Sequence, residues 1–262
     1  MTEKNPETPA AGAGRDPWSA LSRYTSARIA LGRTGGSVRT GSLLDFRLAH
    51  ARARDAVMAA FDVAGLEREL IQKGVATHPL ATAAGDRRVY LVRPDLGRQL
   101  DGESRDRLLA AAGAWGRRDL AIIVSDGLAA QAAERHAAAV IVPLVEQLQS
   151  LGWTIFPVFI APLARVKLQD EIGERLGARH TLMLLGERPG LGSPDSLGAY
   201  LTYRPGAART DAERNCVSNI RPEGLPSAAA ARKLAHLLLE SARLGVSGIA
   251  LKDTETAGEI GN

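Results

Sequence analysis

Apolar residues return along this chain at two different periods. Over residues 43–61 the spacing is helical, with Ala49, Ala53, Ala56, Val57 and Ala60 on one side, which predicts an amphipathic helix. Its other side carries Arg47, His50, Arg52 and Arg54, which reads as a solvated basic face or as a surface for a partner. From Arg88 onward short apolar runs alternate with helical stretches. Strands are expected at residues 89–92, 120–124, 153–160 and 181–185, and helices at 105–112, 129–151 and 165–176. That alternation is the pattern of βαβ units, so the fold class expected is α/β, a doubly wound and mostly parallel sheet. Pro143 has no N–H and should kink or restart the helix that contains it, and Gly177 suits a helix C-terminus. A further strand at 197–203 precedes a helix with Ser227 as its N-cap and Ala231, Leu234, Ala235, Leu238 and Ala242 on one face.

These elements divide the chain into a disordered tail (residues 1–20), an N-terminal helical extension (21–85) and an α/β domain (86–262), with residues 77–86 as the linker. A length of 262 residues with 45% hydrophobic content is enough for a substantial core of this kind. The net charge of +4 comes without a run of five basic residues, so nucleic acid is not an expected partner. No apolar run approaches the roughly eighteen residues of a membrane span, and residues 1–17 lack the apolar stretch of a secretory signal. The single cysteine, Cys216, excludes an intramolecular disulfide and a cysteine zinc cage and suits a reducing compartment, the cytosol by default.

The most informative candidate chemistry lies at residues 181–192, where an apolar strand stops at Gly186-Glu187-Arg188-Pro189-Gly190-Leu191-Gly192. The loop at the carboxyl end of a parallel strand is where open α/β sheets bind ligands, and glycines let a bulky partner approach the backbone. Glu187 is therefore a candidate ligand-binding carboxylate, with a surface pairing to Arg188 as the alternative. Ser125-Asp126-Gly127 follows another strand; it could line the same crevice or simply serve the turn. Cys216 lies in a polar segment and reads from the residues alone as a buried structural cysteine. There is no P-loop, no G-x-G-x-x-G fingerprint, no histidine spacing of a metal site and no G-x-S-x-G nucleophile motif, so neither catalytic nor metal-ligating residues are assigned.

The glycine-rich loop and Arg214-Asn215-Cys216-Val217-Ser218-Asn219-Ile220 resemble the small subunit of ethanolamine ammonia-lyase. The resemblance extends through Leu43-Leu44-Asp45-Phe46, Ile123-Val124-Ser125-Asp126-Gly127-Leu128, Ala164-Arg165-Val166 and Asp170-Glu171-Ile172-Gly173. It implies a Rossmann-like cobalamin-binding domain whose cofactor contacts are Val166, Glu187 and Cys216. It also implies adenosylcobalamin clamped against a large catalytic subunit, and ethanolamine converted to acetaldehyde and ammonia by a radical route. Bacterial cytoplasm, within a microcompartment, is the location implied. No Asp-x-His-x-x-Gly segment is present, which fits a cobalamin that keeps its own base on cobalt. A nucleotide-binding Rossmann enzyme and a non-catalytic scaffold are the rival readings.

Overall fold

The computed structural model describes Asp16, residues 18–25 and residues 27–253, so most of the tail expected at residues 1–20 lies outside the described residues. A 3₁₀ turn at Ser19–Tyr24 and a small hairpin of β1 (Arg33–Thr34) and β2 (Ser37–Val38) lead into α1 (Thr40–Met58). The next helix, α2 (Val63–Gln72), starts at Asp62, whose carboxylate accepts the Gly65 N–H at 2.9 Å. Then come β3 (Thr77–Pro79), α3 (Arg87–Val92), α4 (Gly102–Trp115), β4 (Leu120–Ser125), α5 (Ala130–Ser150), β5 (Val158–Ile160) and α6 (Leu168–Leu176). The chain continues through β6 (His180–Gly186), β7 (Leu197–Tyr203), β8 (Arg214–Ile220) and α7 (Ser227–Leu244).

Six strands form one sheet in the order β3-β5-β4-β6-β7-β8. The first four run parallel, and β7 and β8 continue antiparallel from β6. Every residue of β4 and β6 is buried, which explains their unbroken apolar runs, because both faces of a central parallel strand are covered. One face packs on α2, α5 and α7 through residues such as Leu66, Ile141 and Leu238. The other packs on α4 and α6 through Leu108, Leu168 and Ile172. Helices cover both faces of a mostly parallel sheet, an α/β architecture. On β8 the burial alternates: Val217 and Ile220 join the first core layer, whereas Cys216 and Ser218 are exposed.

Several elements depart from expectation. Residues 89–92 form the end of helix α3 and not a strand. Asp86 caps that helix by accepting the Val89 N–H at 2.9 Å, and a four-residue apolar run has too little length to fix its period. Only the last three residues of the strand expected at 153–160 join the ladder, since Pro157 has no N–H to donate; Ile155 makes an isolated bridge to Leu120. α5 runs through Pro143 as one helix without restarting. The expected linker supplies β3, which pairs with β5 at the edge of the sheet. Pro226, and not Ser227, occupies the N-cap position of α7. Gly177 ends α6 in the left-handed region at φ +59°, as its position suggested.

Candidate functional site

The strand β6 delivers Glu187 to the point where the sheet changes from parallel to antiparallel. Two glycines make the delivery possible. Gly127 has φ +51°, and a Cβ there would stand 2.2 Å from the Gly186 carbonyl oxygen; a Cβ on Gly186 would stand 2.2 Å from that of Ala129. The carboxyl ends of β4 and β6 thus approach closer than side chains allow. Leu128 N–H then donates to the Gly186 carbonyl at 3.0 Å and fixes the register of the two loops.

Glu187 is held from the opposite strand. Its N–H donates to the Ser196 carbonyl at 2.9 Å, the Ser196 hydroxyl donates to Oε2 at 2.6 Å, and the Asn219 N–H approaches the same oxygen at 3.4 Å. No ion pair joins it to Arg188 among the described residues, so the alternative of a surface pairing is not what is seen. The carboxylate lies over Gly198, where a Cβ would stand 2.8 Å from Oε1 and 3.3 Å from Cε2 of Tyr200.

Tyr200 and Cys216 face each other across β7 and β8, close enough for each to perturb the other's ionisation. Burial, reinforced by Cys216 and by the Glu187 carboxylate, pushes the phenol of Tyr200 well above its ordinary range. Although Cys216 is exposed as a residue, its thiol is partly withdrawn from water. That withdrawal raises its pKa, the neighbouring Tyr200 hydroxyl opposes the rise, and Glu187 adds to it. Both groups are protonated at neutral pH, so this cysteine is a small neutral surface and not a thiolate nucleophile. The buried reading of Cys216 is corrected to an exposed position on β8: α6 reaches the start of that strand, where Asp170 pairs with buried Arg214, and leaves Cys216 and Ser218 beyond it exposed.

Val166 reaches the neighbourhood by a different route. It sits half-buried in the loop between β5 and α6, packed on the same core layer as Tyr200. The Ser125-Asp126 pair builds that loop: Ala164 N–H donates to Ser125 Oγ at 3.0 Å and Leu163 N–H to Asp126 Oδ1 at 2.7 Å. Leu163 is held in the left-handed region at φ +59°. Arg87 grips the other side, donating to Asp126 Oδ2 and to the Gly127 carbonyl, each at 2.7 Å. Asp126 is only 2% exposed, with every oxygen engaged, so it organises the loop and lines no open crevice.

The structure therefore brings Glu187 and Cys216 together around Tyr200, and places Val166 on the same side of the sheet. Sequence reasoning passed over Ser196, Gly198 and Tyr200. Two glycine–tyrosine positions inside a strand carry no motif; only the hairpin β6-β7 sets them beside Glu187. Among the described residues no group of three His, Cys, Asp or Glu side chains could hold a metal ion, and no helix is long and apolar enough to cross a membrane. A cleft of about 420 Å³ near the start of α6 is lined by Arg105, Lys167, Glu171 and Arg175, which are already paired with one another or with Asp170.

By fold and site this is an α/β protein whose candidate residues group on the half-open part of a mostly parallel sheet, beside a loop-borne carboxylate. Over residues 15–252 the chain matches the family described as ethanolamine ammonia-lyase light chain (EutC), and it belongs to that family. It is 52% identical to an ethanolamine ammonia-lyase small subunit of Ralstonia nicotianae over 254 residues, 97% of this chain and 94% of the relative. It is 50% identical to one of Azotobacter vinelandii over 254 residues, 97% and 92% of the two chains. The chain is accordingly a subunit of a lyase complex.

Proposed function

We propose that this chain is the cobalamin-clamping small subunit of an adenosylcobalamin-dependent ethanolamine ammonia-lyase, working against a large catalytic subunit. The observation that carries the reading is the seating of the Glu187 carboxylate in the gap at Gly198, beside the protonated Tyr200–Cys216 pair on an open sheet face. A corrin is a broad ring rimmed with amide side chains, which are hydrogen-bond donors. Glu187 is an acceptor whose Oε2 is already oriented by Ser196, and Cys216 is small and neutral enough for close approach. The residues present fit such a group.

When bound, adenosylcobalamin supplies the radical chemistry that turns ethanolamine into acetaldehyde and ammonia. The work of this chain is to bind and to exclude water. Glu187 accepts from the ring's amide edge, Val166 offers apolar contact from its fixed loop, and the Cys216 face closes against the ring. No residue here is given a proton or electron to move in the reaction, in keeping with the absence of a nucleophile–base motif in the sequence.

The test is to purify the chain with a large subunit, titrate the complex with hydroxocobalamin by absorbance, and assay acetaldehyde release with and without adenosylcobalamin. Cobalamin binding and release that both require the two chains support the reading. A two-chain complex that binds no cobalamin overturns it.

A further inference from the structure

Helix α1 is unusual for its exposure. Of its nineteen residues only Ala49 and Ala56 are buried, and large apolar side chains point to solvent: Leu44 is 57% exposed, Leu48 51% and Phe46 42%. At about 100° per residue, Leu43, Leu44, Arg47 and Leu48 share one arc, turned away from the Ala49–Ala56 stripe that rests on the domain. Phe46 borders that arc and stacks on His50 at 6.3 Å. A contiguous apolar surface of this kind on a folded chain marks an interaction site.

Two observations point to the occupant. Residues 27–58 hold six arginines against two aspartates, so the apolar arc lies in a basic field that favours a partner rich in carboxylates. The arc also leads into a cleft of about 640 Å³ formed by Leu31, Val38, Leu43 and Phe46 with Leu191 and Gly192. Those last two belong to the loop that begins at Glu187, so one continuous surface joins α1 to the candidate ligand face.

We propose that the outward arc of α1 is the docking surface for the large subunit, seated in an apolar groove of that subunit bordered by acidic side chains. This rests on the two-subunit reading above and adds the surface that reading lacks. Leu44 and Leu48 are the apolar anchors, and Arg47 and Arg52 meet the carboxylates.

The experiment compares the wild-type full-length chain with L44D, L48D, R47E/R52E and I249D, each titrated against the purified large subunit at low and high salt. Ile249 is 78% exposed and lies in a 3₁₀ turn near the carboxyl terminus, so I249D controls for the mere loss of a surface apolar group. Circular dichroism and melting of each chain alone check folding, and the arginine pair tests the surface independently if an aspartate variant is poorly folded. The expected result is an affinity lowered about tenfold or more by L44D and by L48D. R47E/R52E should weaken binding mainly at low salt, and I249D should leave it unchanged. Wild-type-like assembly of both sets of α1 variants overturns this docking surface alone. So does a result in which they only dissolve a homodimer of this chain while heteromeric assembly persists. Failure of the wild-type chain to bind any large subunit overturns the two-subunit reading together with it.

Discussion

Gly198 leaves open the space that the Glu187 carboxylate fills: a Cβ at position 198 would stand 2.8 Å from Oε1. Position 198 is the second residue of β7 and lies opposite Leu185 of β6, whose ladder holds the backbone there in place. Gly198→Ala should push Glu187 off its seat and break the 2.6 Å bond from Ser196. If Glu187 accepts from the corrin edge, hydroxocobalamin affinity of the two-chain complex should fall about tenfold or more, the scale of one lost hydrogen bond to a charged group. Glu187→Gln should weaken binding similarly while the rate of the saturated enzyme changes less. Titration of both variants decides, and unchanged affinity in both would remove Glu187 from the site.

Cys216 is the sole thiol of the chain, so alkylation reports on it without interference. Its pKa is raised by partial burial and by Glu187 and lowered by the Tyr200 hydroxyl, a donor to the thiolate. The two neighbours therefore act in opposite senses. Tyr200→Phe removes the donor that stabilises the thiolate, so the pH midpoint of iodoacetamide alkylation should move up. Glu187→Gln removes a nearby negative charge, so it should move down. Movement of both midpoints in one direction would show that the three side chains are not grouped as described.

The loop that carries Val166 depends on a buried charge. Asp126 and Arg87 are paired at 2.7 Å with side chains 2% and 14% exposed, and the same carboxylate holds Leu163 in its left-handed conformation. Asp126→Asn strands the Arg87 guanidinium and should destabilise the fold by about 3–5 kcal/mol, the usual consequence of breaking a buried pair. Arg87→Met combined with Asp126→Asn should cost less than the sum of the two single changes. Urea denaturation of the four chains in that cycle measures the coupling.

How much of this was legible in the sequence follows from how each residue is carried. Glu187 stood out because β6 is buried on both faces and so reads as an unbroken apolar run that ends at a glycine. β8 did not, because Cys216, Ser218 and Asn219 are exposed and the strand is largely polar. Val166 and Cys216 entered only through family resemblance; no spacing singles them out. Asp126 was seen, but its role as the anchor of the 161–166 loop depends on contacts some forty residues distant, at Arg87 and at Leu163. The run at 89–92 misled because Tyr90 is apolar in context: it is buried under the Arg165 guanidinium, 3.9 Å from the ring centroid, on a helix and not in a sheet.

His180, at the start of β6, makes stability depend on pH. Its ring is fully buried between Trp153 and Tyr203, with centroids 5.3 and 5.1 Å away. Nε2 lies 3.1 Å from Ser241 Oγ, and that hydroxyl donates its own proton to the Val246 carbonyl at 2.7 Å. The hydroxyl can therefore only accept from the ring, which puts the neutral imidazole's proton on Nε2 and leaves Nδ1 buried without a partner. A second proton would have to sit on that isolated nitrogen. Burial, with Arg179 nearby adding to it, accordingly holds the pKa down at about 4 against 6.5 for a free side chain. The unfolded chain thus takes up a proton near pH 6.5 that the folded chain refuses until about pH 4. The stability contributed by neutral His180 is complete above pH 6.5 and lost as the pH falls through that window, by about 3 kcal/mol in all. His180→Gln keeps an N–H for Ser241 but cannot titrate. Urea midpoints measured from pH 7 to pH 4 should fall more steeply for the wild-type chain than for this variant, and parallel profiles would mean that His180 is not the group responsible.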